Sequence, residues 1–121
     1  MPPDPRELLP LAAVDFQVLL ALVDGPRHAY GLATAVEVAP AGSVRLEIGS
    51  LYRVLARLTS LRVIEEDEHA GSRRAAAHEA CRRYFRLTPF GRRVLQAEIT
   101  RLEHVVHAAR RRLPASPKSG T

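Results

Sequence analysis

The sequence predicts a mainly α fold with one small β-hairpin. Apolar residues recur at helical spacing through most of the chain. Two short runs, Arg62-Val63-Ile64-Glu65-Glu66 and Arg83-Tyr84-Phe85-Arg86-Leu87, interrupt that spacing and read as paired strands. A heptad stripe then continues almost to the end. At 121 residues, one domain with a modest core is expected.

The first ten residues hold Pro2, Pro3 and Pro5 and are expected to be loose. Val14 to Val23 is apolar nearly all round, which predicts a largely buried first helix. Asp24-Gly25-Pro26 stops it. A second helix is expected from His28 to Val38, with Leu32, Ala35 and Val36 inward and Pro40-Ala41-Gly42-Ser43 ending it. Val44-Arg45-Leu46 is a candidate short strand. A third helix is expected over 49–60, with Ser50 as its N-cap. Leu51, Leu55 and Leu58 share one face of that helix, and Arg53 and Arg57 share another.

The strands enclose a polar loop over 67–82 with Gly71-Ser72 at its tip. Thr88-Pro89 reads as an N-cap followed by proline at the first helical position. The last helix should run from there to about Leu113. Along it Leu95, Ile99, Leu102, Val106, Ala109 and Leu113 step by four and three in turn, the spacing of a coiled-coil seam. Such a stripe can pack on its own domain. Its length in so small a chain favours contact with a second copy. Residues 114–121 are rich in Pro and Ser and read as a disordered tail.

Eighteen Lys and Arg against thirteen acids give a net charge of +5, and Lys118 is the one lysine. Arginine keeps its charge and pairs phosphate bidentately, so the excess suits nucleic acid. From Gly71 to Arg93, seven arginines face one acid, Glu79, a net +6 over twenty-three residues. A single cysteine, Cys81, excludes an internal disulfide and fits a reducing compartment. No apolar run approaches the length of a membrane span, and the first residues lack a signal-peptide plan. The expected setting is soluble and cytoplasmic.

Three helices followed by a hairpin is the plan of a winged helix-turn-helix, here residues 11–88, with 89–113 as a separate dimerisation helix. In such folds the second helix of the motif enters the major groove of DNA. That helix is the one over 49–60. Ser50, near its start, suits a phosphate. Arg53 suits a guanine edge, and Arg57, one turn deeper, reaches phosphate. Arg73, Arg74, Arg82 and Arg83 on the wing would track the backbone or a narrow minor groove. A dimer fits a palindromic operator because its symmetry matches the site.

His28-Ala29-Tyr30-Gly31, Gly49-Ser50-Leu51-Tyr52-Arg53, the run Arg82 to Thr88, and Gly91-Arg92-Arg93 occur in order. Together they resemble the PadR family of transcriptional regulators, over roughly residues 10–113, in its small subfamily with a single C-terminal helix. The resemblance implies a homodimer held by that helix with help from the first. It implies a repressor of nearby genes, released from a pseudo-palindromic DNA operator by a small-molecule inducer. It places Tyr30 and Tyr52 beside the DNA backbone. Ile48 replaces a usual proline, Ala29 a usual glycine, and Arg62 the glycine expected before the first wing strand. The loop over 70–81 is Ala-rich and long. No Trp is present, so stacking of aromatic drugs between tryptophans does not carry over.

Other chemistry is weakly supported. His69, His78 and Cys81 match no standard zinc spacing. Arg82 and Arg83 beside Cys81 would lower its pKa, which makes a redox sensor the alternative to an incidental thiol. His104 and His107 lie three apart on the last helix, where solvated positions are the default. No catalytic constellation, cofactor site or metal site is expected. The rival reading is a winged helix that binds protein or RNA.

Overall fold

The structure, a computed structural model, describes residues 3–38, 47–68 and 83–113. After a 3-10 turn over Pro5–Leu8 come α1 (Ala13–Ala21), β1 (Arg27–His28), α2 (Ala29–Glu37) and α3 (Ile48–Ser60). Then follow β2 (Ile64–Glu66), β3 (Tyr84–Leu87) and α4 (Pro89–Arg112). The candidate strand at 44–46, the loop tip and the tail lie outside the described residues.

The N-terminal segment is ordered from Asp4, against expectation. The Asp4 carboxylate accepts the Arg6 backbone N–H at 2.9 Å and caps the 3-10 turn. Leu8, Leu9 and Leu11 then pack on the core. Proline alone suggested looseness; these three leucines outweigh it through the apolar area they bury.

α1 buries Asp15, Val18 and Leu19, while Leu20 is exposed and Phe16 half-buried. The helix is therefore less enclosed than its all-round apolar sequence suggests. Gly25, at φ 148°, makes the turn after it, and its N–H reaches Leu22 O at 3.3 Å. His28 caps α2 rather than joining it: its Nδ1 accepts the Gly31 N–H at 3.1 Å. The N-cap of α3 is Glu47, so Ser50 already lies inside the first turn. Leu51, Leu55 and Leu58 are fully buried on one face of α3, as the spacing predicts.

The sheet has three antiparallel strands in the order β1-β3-β2, not the two of a hairpin. Arg27 pairs with Phe85 and His28 with Tyr84, while Ile64 pairs with Leu87 and Glu66 with Phe85. β1 has two residues, too few for any alternation to show in sequence.

α3 ends in a Schellman turn. The Val63 N–H reaches back to Leu58 O at 3.2 Å and the Arg62 N–H to Thr59 O at 3.0 Å. Arg62 therefore takes φ 63°, the left-handed conformation that glycine adopts without strain. The same residues grip the start of α4. Val63 O accepts the Thr88 N–H at 3.1 Å, and Thr88 Oγ1 donates to Arg62 O at 2.7 Å. Thr88 Oγ1 also accepts the Gly91 N–H at 2.8 Å, which makes it the N-cap, with Pro89 next. Gly91 lies so close that an added Cβ would sit 2.0 Å from Val63 O.

From there α4 buries Val94, Leu95 and Glu98. Glu98, 1% exposed, accepts the Leu11 N–H at 3.0 Å and two bonds from Arg101, at 2.6 and 3.0 Å. The Arg101 guanidinium holds the Glu98 carboxyl below its ordinary value, against the opposing effect of burial and with help from the Leu11 N–H.

Two substitutions at the joint should move stability in opposite directions in a urea melt. Gly91→Ala must displace backbone and should cost about 3 kcal/mol. Arg62→Gly removes left-handed strain and, after the extra freedom of the unfolded chain, should stabilise by roughly 0.5–1 kcal/mol. Glu98 gives a pH prediction. Its depressed folded pKa adds stability that is present above the unfolded value of about 4.3 and lost as pH falls through the folded value. Acid titration of Glu98→Gln should show a flatter loss of stability over that window than wild type.

Candidate nucleic-acid interface

The outer face of α3 follows from its inner one. With three leucines buried, Tyr52, Arg53, Ala56 and Ser60 are turned outward and exposed. Arg53 donates from Nη2 to Ser50 Oγ at 3.1 Å. This pair stands in the first turns of the helix, where backbone N–H groups lack intrahelical acceptors and favour an anion. Tyr30 is exposed at the start of α2.

The wing stem adds Arg83 beside α3. Tyr52, Leu55, Ala56 and Thr59 of α3 share a cavity of about 280 Å³ with Arg83 and Phe85. The structure thus brings Tyr52 and Arg83 to one place. The Arg83 guanidinium lies 5.3 Å from the Phe85 ring centre and is bound by both Glu66 oxygens at 3.1 Å. Arg86 is likewise paired, to Glu65 at 2.7 Å and Asp67 at 3.7 Å. Counting charge from Gly71 onward omits these acids on β2. Antiparallel pairing returns them to the arginines of β3 and reduces the positive field of the stem. Arg73, Arg74 and Arg82 lie outside the described residues.

Arg57 departs most from expectation. It is half-exposed on α3, but its Nη2 donates to Asp15 Oδ1 of α1 at 2.5 Å. Asp15 was not among the expected site residues. A single acid in an apolar helix gives no sequence signal for a partner 42 residues away.

The seam divides in two. Leu95 is 3% exposed and belongs to the chain's own core, so it is not available to a second copy. Three turns after Thr88, α4 still lies against that core; beyond Glu98 none of its residues is fully buried. Ile99, Val106, Ala109 and Leu113 are exposed and Leu102 is half-buried. Phe16 of α1 joins Ile99, Leu102 and Val106 in lining an apolar groove of about 400 Å³, with Glu103 and His107 at its edge. Among the described residues no helix is long and apolar enough to cross a membrane. No cluster of His, Cys, Asp and Glu suited to a metal occurs among them either. His69, His78 and Cys81 lie outside them.

Comparison with known proteins agrees with this arrangement. Residues 18–97 match the model of the Transcriptional regulator PadR-like family. An uncharacterized 37.1 kDa protein of transposon TN4556 from Streptomyces fradiae is 40% identical over 81 residues. That stretch is 67% of this chain, which spans 20% of that relative's length. A PadR family transcription regulator from Clostridium difficile has the same fold, with TM-score 0.66 and 19% identity over 84% of this chain and 99% of that one. BpsR of Bordetella bronchiseptica, whose DNA binding is regulated by 6-hydroxynicotinic acid, gives TM-score 0.61 at 19% identity, over 93% and 72% of the two chains. The family match spans the end of α1, all of α2 and α3, the three strands and α4 as far as Ala97, and by it the chain belongs to the PadR-like family of DNA-binding, non-enzymatic transcriptional regulators.

Proposed function

We propose that the chain is a homodimeric, sequence-specific repressor, released from a pseudo-palindromic operator by a small molecule. The observation that carries this reading is the division of α4. A helix of 24 residues is about 36 Å long. Its fully buried residues end at Glu98, and the apolar stripe and the groove with Phe16 continue beyond. A second copy seated there would bury the Ile99-Leu102-Val106 stripe and present two α3 helices to one duplex. Tyr30, Ser50, Tyr52 and Arg53, with Arg83 on the wing stem, form the DNA face. Arg53 reads a base, and Ser50 and the tyrosines lie along phosphates. Arg73, Arg74 and Arg82, outside the described residues, would add phosphate contacts. Release by a small molecule is supported by BpsR, which shares the fold and whose DNA binding responds to such a compound.

Binding of the purified protein to the DNA just upstream of its own gene, against a scrambled duplex at two salt concentrations, tests the reading. Selective binding that weakens with salt is expected. Equal weak binding to both would favour a protein or RNA partner. Arg53→Ala should cost about 1–3 kcal/mol of specific binding and relax the preference at one base per half-site. Equal loss on random DNA would place Arg53 on phosphate only. Leu102→Asp or Val106→Asp should sediment as a folded monomer; a mutant that stays dimeric moves the interface elsewhere.

A further inference from the structure

The Arg57–Asp15 pair joins two helices that each pack mainly on other elements. α1 packs mainly on α2 and α4, and α3 mainly on α2 and β2. α3 is seated on Leu51, Leu55 and Leu58, whose apolar contacts carry no directional preference of their own. A bidentate contact to a base edge tolerates about 0.5 Å and 10–20° of error. A charge-assisted hydrogen bond supplies the missing direction.

Its placement suits that task. Arg57 is one turn from Arg53 on the same face, so fixing one fixes the azimuth of the other. Asp15 is 8% exposed, and a carboxylate so enclosed needs its partner. The next residue, Phe16, lines the groove with α4. Successive residues of α1 thus face the recognition helix and the proposed dimer face.

We propose that Arg57 is a positioning residue: held by Asp15, it sets the orientation of α3 from α1, and sequence discrimination depends on it without its reading a base. This rests on the DNA-reading function above.

The pair allows a test in which charge and position predict opposite signs. Asp15→Asn removes a negative charge from a DNA-binding domain. By charge alone it should tighten binding to any duplex. A duplex selected by the wild-type protein from a random pool serves as operator, with a scrambled duplex as control, over a salt series. Failure of the wild type to select any sequence would sink the DNA-reading function itself.

Given selection, Asp15→Asn and Arg57→Gln should each weaken operator binding about tenfold. Binding of Asp15→Asn to the scrambled duplex should be no weaker, Arg57→Gln should lose less there than on the operator, and the slope of affinity on salt should hold. The double variant should be no worse than the poorer single, since both remove one interaction. Arg57→Lys guards against misfolding, because it keeps the charge but loses the planar fork. It should lose discrimination too. Wild-type or tighter operator binding by Asp15→Asn would overturn the proposal. So would full retention of discrimination by Arg57→Lys. A third contrary result is Arg57→Gln weakening both duplexes equally while the salt slope falls by about 0.9, the signature of one phosphate contact.

Discussion

The backbone crossing at Arg62-Val63 and Thr88-Gly91 governs how the rest of the molecule is arranged. Here the end of the recognition helix, the first strand of the wing and the start of the long helix share hydrogen bonds. Val63 O accepts from Thr88, Thr88 donates to Arg62 O, and Thr88 caps Gly91. Gly91 allows a backbone approach that a Cβ would forbid. These bonds tie the end of α3 to the start of α4 at one point of the fold. The proposed DNA-reading helix and the proposed dimer helix are thereby joined at their ends.

From that crossing the two halves of α4 acquire different environments. The first half lies over the leucine core and ends at Glu98, whose carboxylate also holds the Leu11 backbone. Beyond Glu98 the described chain covers the helix only in part, with the N-terminal segment beside Thr100 and Arg101 and Phe16 beside Leu102, although the apolar spacing continues unchanged. The N-terminal leucines reinforce the covered half, and Phe16 widens the apolar face of the uncovered one. α1 is therefore central although it touches no DNA in the proposed complex.

Much of this was legible in the sequence. The leucines of α3 recur at helical spacing, and Thr88-Pro89 marks the start of α4 by the chemistry of a cap. The family resemblance rested on adjacent residues in order, which a linear reading sees well. What escaped is what depends on the third dimension. β1 is two residues long and exists only because β3 passes beside it. Ser50 looked like a cap, but a helix can begin on backbone geometry alone, and this one begins two residues earlier. Leu95 fits the seam by spacing, yet the same spacing serves the core. The acids Glu65, Glu66 and Asp67 come before the wing loop and neutralise arginines that follow it. Arg57 was expected at phosphate, and its link to Asp15 spans two helices with no pattern to announce it. The left-handed Arg62 was visible only as a missing glycine.

The central claim is that two copies, joined through the uncovered half of α4, present two recognition helices to one duplex. Hydroxyl-radical footprinting on a duplex the protein has itself selected tests it most directly. Two protected patches related by a two-fold axis, with centres about 34–36 Å apart along the duplex, are predicted. A single unsymmetrical patch would contradict it.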